Sequence, residues 1–207
     1  MFKRLALIFT CLACVPLSFA GSESEPRFQV VASTVDMPEQ GKVKGYCLIT
    51  DTTRYNFIPP ANALLEVDPK FQRFKLTPAD HNCIITFQIT SNNPALLNQP
   101  SQVALHDIVQ QRYTNDVTQG LPCHTGIGPG WSFDVEFVST NKVRMFTRTA
   151  YFPIPQGIAE ATFTTPKANY KDQRSRFTTL LSSFVVLPGA PSPLRRPEPA
   201  RSQEISR

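Results

Sequence analysis

The sequence predicts an α+β fold in which a mainly antiparallel sheet is sandwiched by helices, an α/β/α sandwich. Three observations carry that expectation. Most of the body alternates apolar and polar residues with the period of two that marks a half-buried strand. Only two segments space their apolar residues as a helix does. The breaks between strand-like runs are short and rich in turn-forming residues, as hairpin-linked neighbours require.

Taken in order, GYCLITD (45–51) and TRYNFIP (53–59) flank a turn near Asp51-Thr52-Thr53. FQRFKL (71–76) and CIITFQIT (83–90) flank a second turn over Pro78-Ala79-Asp80-His81-Asn82, with Ile85, Phe87 and Ile89 facing the core. Ser101 to Tyr113 is a helix with Ala104, Leu105, Ile108, Val109, Arg112 and Tyr113 on one broad face. SFDVEF (132–137) and KVRMFTRTAYF (142–152) are strands joined through Ser139-Thr140-Asn141. After Pro153 to Gly157, IAEATFT forms a third adjacent strand. The second helix runs from Asn169 to about Phe184. Asn169 is placed as its N-cap and Asp172 near the positive end of its dipole. Tyr170, Phe177, Leu180, Leu181 and Phe184 make an apolar stripe suited to lie across a sheet.

The two ends read differently. Lys3 and Arg4, an uncharged run from Leu5 to Val15, and Ser18-Phe19-Ala20 have the layout of a signal peptide (1–20) cleaved between Ala20 and Gly21. Leu12-Ala13-Cys14 loosely matches a lipobox, but Cys11 sits where that motif prefers leucine, so cleavage is the preferred reading over lipidation of Cys14. Residues 21–26 are polar and loose. From Pro188 the chain runs PGAPSPLRRPEPARSQEISR, too poor in apolar bulk to offset the entropy of ordering it, and is expected to be a disordered Pro/Arg-rich tail. Between these ends, 27–187 is sized for one domain, with no repeat and no internal linker. The expected location is periplasmic or secreted, with membrane contact peripheral at most.

Of the 21 basic and 16 acidic residues, six basic and two acidic lie in the signal and tail, which leaves residues 21–187 close to neutral, at about +1. No segment of the body interleaves basic and aromatic residues, which argues against a nucleic-acid platform.

The stretch LPCHTGIGPGW (121–131) invites a chemical reading. A P-loop needs Lys and Ser/Thr after its last glycine, and Trp131 stands there instead. A dinucleotide fingerprint needs a following helix, and a strand follows. His81, Cys83, Cys123 and His124 are ligand types that zinc accepts, yet adjacent ligands rarely close one tetrahedron and the usual spacers are missing. Export favours disulfides, and of the three cysteines after the signal, Cys47 lies in an apolar strand. Cys83 and Cys123, both at loop-to-strand junctions, are therefore the preferred pair. A nucleophile at Cys123 would need a base from elsewhere, His81 or His106, since His124 points to the opposite side of an extended segment. Asp134 and Glu136 share one strand face, expected to be solvated. There is no G-x-S-x-G elbow and no zinc-binding H-E-x-x-H helix. No cofactor is expected.

The stretch VRMFTRTAYFPIPQGIAEATFTTPKANYKDQRSRFTTLLSSFVV (143–186) resembles the closing part of PsbP-like domains, which share their fold with the Ran-binding Mog proteins. Two strands end near a proline-glycine turn, and the second leads to a helix finishing in Leu180-Leu181-Ser182-Ser183-Phe184-Val185-Val186. YNFIPP (55–60) resembles that family's aromatic strand running into proline. The chain departs from the pattern at Ala61-Asn62-Ala63-Leu64, where a tryptophan is often found. The resemblance implies an α/β/α sandwich used as an extrinsic assembly or binding subunit, with no catalytic residues to carry over. In photosynthetic members the partner is the oxygen-evolving complex, for which this sequence offers no support.

The functional expectation is thus a non-catalytic exported binding or assembly module, its partner another envelope or secreted protein or a small ligand. A small exported hydrolase or metal-dependent enzyme using Cys123, His124 and His81 is the alternative. A third reading is an envelope protein held near the membrane through Cys14 or the arginine tail.

Overall fold

Strand alternation holds over most of the body, and it builds two sheets. The computed structural model describes residues 27–37, 39, 41–90, 101–155 and 157–187. The signal segment with Cys14 and the Ala20–Gly21 junction, residues 21–26 and the tail 188–207 lie outside the described residues.

Strands β1 (Phe28–Met37), β2 (Gly41–Thr50) and β3 (Arg54–Phe57) form a four-stranded antiparallel sheet with the two-residue β11 (Val185–Val186), in the order β1-β2-β3-β11. The larger sheet has seven strands: β4 (Leu64–Asp68), β5 (Arg73–Thr77), β6 (Ile84–Ile89), β7 (Leu121–His124), β8 (Pro129–Val138), β9 (Arg144–Ile154) and β10 (Gly157–Pro166). Its order is β4-β5-β6-β10-β9-β8-β7, and every pairing is antiparallel. Helix α1 (Gln102–Arg112) joins β6 to β7, and α2 (Tyr170–Ser183) follows β10.

This corrects the α/β/α sandwich. One face of the large sheet is covered jointly by α2 and by the small sheet, not by helices alone. Phe28, Leu48, Tyr55 and Phe57 of the small sheet share one core with Phe74, Leu76, Ile85, Phe87, Ala150, Phe152 and Phe163 of the large one. From α2, Phe177, Leu180 and Leu181 complete it, with Phe184 just beyond the helix end. On the opposite face α1 sits over the β8–β10 end only, where Leu105 and Val109 pack on Phe133, Val135, Tyr151 and Ile158. Period-two alternation reports that a strand has a buried face, not which sheet it joins.

Helix α1 starts as expected: the Ser101 side chain accepts from the Ala104 amide. Helix α2 does not. Asn169 occupies the N-cap position with helical backbone and makes no capping hydrogen bond, while its side-chain Nδ2 donates to Asn82 Oδ1 at 3.3 Å. That bond ties the helix start to the turn before β6.

LPCHTGIGPGW is a hairpin between two edge-side strands. Thr125 closes the β7–β8 turn, its Oγ1 donating to the Gly128 carbonyl and accepting from the amides of Ile127 and Gly128. Its glycines permit close approach. A Cβ on Gly126 would stand 2.1 Å from the Phe184 carbonyl oxygen, and one on Gly130 2.2 Å from that of Tyr151.

Candidate functional site

The structure does not bring the chemical candidates of the sequence together. His81 is exposed in the turn before β6, with left-handed backbone (φ 53°). Cys83 is buried in the main core. Cys123 and His124 lie on β7, His124 exposed. Strands β6 and β7 stand four strands apart in the sheet order, about 19 Å at the usual strand spacing. The expected Cys83–Cys123 disulfide is therefore not formed, since bridged Cα atoms must come within about 7 Å. Cys47, Cys83 and Cys123 are all free thiols. Among the described residues no three His, Cys, Asp or Glu side chains gather as a metal site.

Burial also disfavours the thiolate form of the cysteines. It raises the Cys47 and Cys83 thiols above their usual range and pushes Cys123 up to about 11, with nearby Arg148 pulling back only weakly. At neutral pH Cys123 is a protonated thiol, and no imidazole partners it. Asp134 departs from the solvated face expected of it: its carboxylate is largely buried and receives Arg148 Nε and Nη2, each at 2.6 Å. Glu136 is exposed and pairs with Lys167.

What the fold does assemble lies on the α1 side of the large sheet. Register places Pro122 opposite Trp131, Trp131 opposite Tyr151, and Tyr151 opposite Glu160, one row across four strands. Pro153 stands opposite Ile158 in the next row. Because side chains two apart share a face, this row and the next, with Pro129, point to the side that α1 covers only in part. Of these, Pro122, Pro129, Trp131, Tyr151, Pro153 and Ile158 line an open groove of about 500 Å³ together with Leu105 of α1.

The groove is mainly apolar, and an ion pair lies next to Tyr151 outside its lining. Buried Glu160 receives Arg112 Nη1 at 2.5 Å and Nη2 at 2.8 Å, a two-pronged bond from the last turn of α1. Beside it the Tyr151 hydroxyl is fully buried, next to Glu160 and Arg112. Burial raises its pKa well above the usual phenol range, and the negative charge of Glu160 adds to the rise. The hydroxyl is thus an uncharged group enclosed beside the ion pair.

Sequence reading passed over this site. Its walls come from five elements between Leu105 and Ile158, and no local motif links them. Two signals were present: Arg112 on the apolar face of a helix, and Glu160 inside an otherwise uncharged strand run. Each is a charge in a buried context, and each implies a partner.

No family model matches the chain, and no curated protein matches it in sequence. Two solved structures share its outline distantly. LpqN of Mycobacterium tuberculosis, involved in cell envelope biogenesis, is 9% identical with a TM-score of 0.39, over 77% of this chain and 92% of that one. PA94 of Pseudomonas aeruginosa, a protein of unknown function, is 10% identical with a TM-score of 0.39, over 76% and 98%. Likeness at that level carries no argument about what this chain binds. Among the described residues no helix is long and apolar enough to cross a membrane.

Proposed function

We propose that the chain is an exported, non-catalytic binding module whose ligand site is the groove beside Trp131. The groove itself carries this reading. Its volume falls within the ~300–1,000 Å³ of typical ligand sites, and its walls are mainly apolar and aromatic, as such sites are. The signal-like first twenty residues support the export.

Trp131 is the only tryptophan in the chain, so its fluorescence reports on the groove directly. The protein from residue 21 onward is titrated with 1-anilinonaphthalene-8-sulfonate, reading energy transfer from Trp131. Saturable transfer is expected. It should be lost in Pro122→Glu, at an exposed groove position, and kept in Val185→Glu, at an exposed site on the other sheet. Transfer indifferent to Pro122→Glu would overturn the assignment.

A further inference from the structure

Resting on that reading of the groove, we propose that its occupant is the chain's own C-terminal segment, residues 188–207. The groove chemistry suits such a ligand. Pro122, Pro129 and Pro153 present rings beside Trp131 and Tyr151. Aromatic-lined grooves take proline-rich segments because these are already extended and lose little entropy on binding.

The described chain ends within reach of the groove. The Leu187 amide donates to the Arg54 carbonyl, fixing where residue 188 departs. Three residues earlier, Phe184 adjoins Gly126, whose amide donates to the Leu181 carbonyl. Pro129 on the groove rim lies three residues beyond Gly126. Two three-residue arms and the contact between them set the gap at no more than about 25 Å. β7 is an edge strand, so a chain leaving the α2 side can pass around it to the α1 side. The twenty residues from 188 to 207, at ~3.3–3.6 Å per extended residue, are ample to span that distance with chain left over for the groove. Tethering raises the local concentration of the segment to the millimolar range, so weak contacts suffice.

The test compares the protein from residue 21 onward with two variants. One carries Pro191→Ala, Pro193→Ala, Pro197→Ala and Pro199→Ala, and the other ends at Leu187. Every residue of both cores lies between Phe28 and Phe184, so each retains the folded body. Acrylamide quenching and the emission maximum of Trp131 are measured, with anilinonaphthalene sulfonate binding alongside. The intact chain should be quenched less and emit further to the blue than either variant, at every protein concentration. A synthetic peptide of residues 188–207 should restore that protection to the shortened chain. Shortening should also tighten dye binding. Identical quenching in all three proteins, with no response to peptide, overturns the proposal; if the dye still binds in a Pro122-dependent way, the groove reading survives it. Protection that fades on dilution assigns the segment to a second copy and overturns the intramolecular form.

Discussion

The ring of Phe184 stacks on that of Phe57, centroids 4.8 Å apart and planes 10° from parallel. Phe57 belongs to YNFIPP and Phe184 to LLSSFVV, two motifs far apart in sequence. Beside the stack the Ile58 amide donates to Ser183 Oγ at 2.9 Å, and β11 pairs with β3. Phe184 also stacks on Phe87 at 5.2 Å, so this one ring touches both sheets. It joins them.

Phe184→Ala should therefore cost about 3–5 kcal/mol, the range for emptying a fully buried aromatic site. Phe184→Leu should lose on the order of 1–2 kcal/mol, because bulk remains while ring stacking goes. Urea unfolding measures both. Equal midpoints for Phe184→Ala and the unaltered protein would show that the sheets do not depend on this ring.

Much of this arrangement was legible in the sequence, and the reasons for the rest are physical. β5, β6, β8, β9, β10 and both helices are readable because each buries one face and exposes the other. β1 was missed: Val31 and Ala32 are both exposed in mid-strand, so FQVVASTVDM shows no clean alternation. β4 and β7 are edge strands with mostly exposed residues, and β7 was read as part of a loop. The stripe on α2 was found, but its covering partner includes a second sheet, which periodicity cannot specify. The groove was invisible for the same reason: Trp131 meets Tyr151 through register, a property of pairing and not of either strand.

Gly126 gives a sharper test of how the hairpin meets α2. A methyl group there would stand 2.1 Å from the Phe184 carbonyl oxygen and 2.6 Å from that of Ser182, both backbone atoms unable to move aside cheaply. Gly126→Ala should cost about 1–3 kcal/mol by overpacking. Gly128→Ala, two residues on, meets nothing within 4 Å and should stay within about 0.5 kcal/mol of the original. Thermal unfolding of the two variants decides it; equal losses would mean that the close approach does not matter.

Asp80 predicts an acid dependence. Its carboxylate receives Arg176 Nη1 at 2.9 Å and faces Nη2 at 2.8 Å, linking the turn before β6 to α2. The Arg176 hydrogen bond holds its pKa down to about 2, below the ~3.9 of an unfolded chain. A depressed folded pKa stabilises above the unfolded value, and that contribution is lost as pH falls from about 4 through about 2. Asp80→Asn should thus be less stable than the unaltered protein at pH 7, and the difference should close as pH approaches 2. A gap constant across that window would assign the effect to something other than charge.

Arg112 and Glu160 pair beside Tyr151, and the two partners differ in burial: the Glu160 side chain is 7% exposed and that of Arg112 40%. Removing the arginine leaves a carboxylate in an apolar setting with Tyr151 as its neighbour. Arg112→Met should cost about 2–3 kcal/mol, less than the ~3–5 of a fully buried pair because Arg112 keeps part of its hydration. Replacing both partners, Arg112→Met with Glu160→Leu, should recover most of that loss, since neither residue then leaves a stranded charge. The pair fixes the last turn of α1 against β10, so the double variant should also change the Trp131 response to anilinonaphthalene sulfonate even where stability is restored. Single and double variants equally destabilised in urea would mean that the ion pair matters for its packing volume and not for its charge.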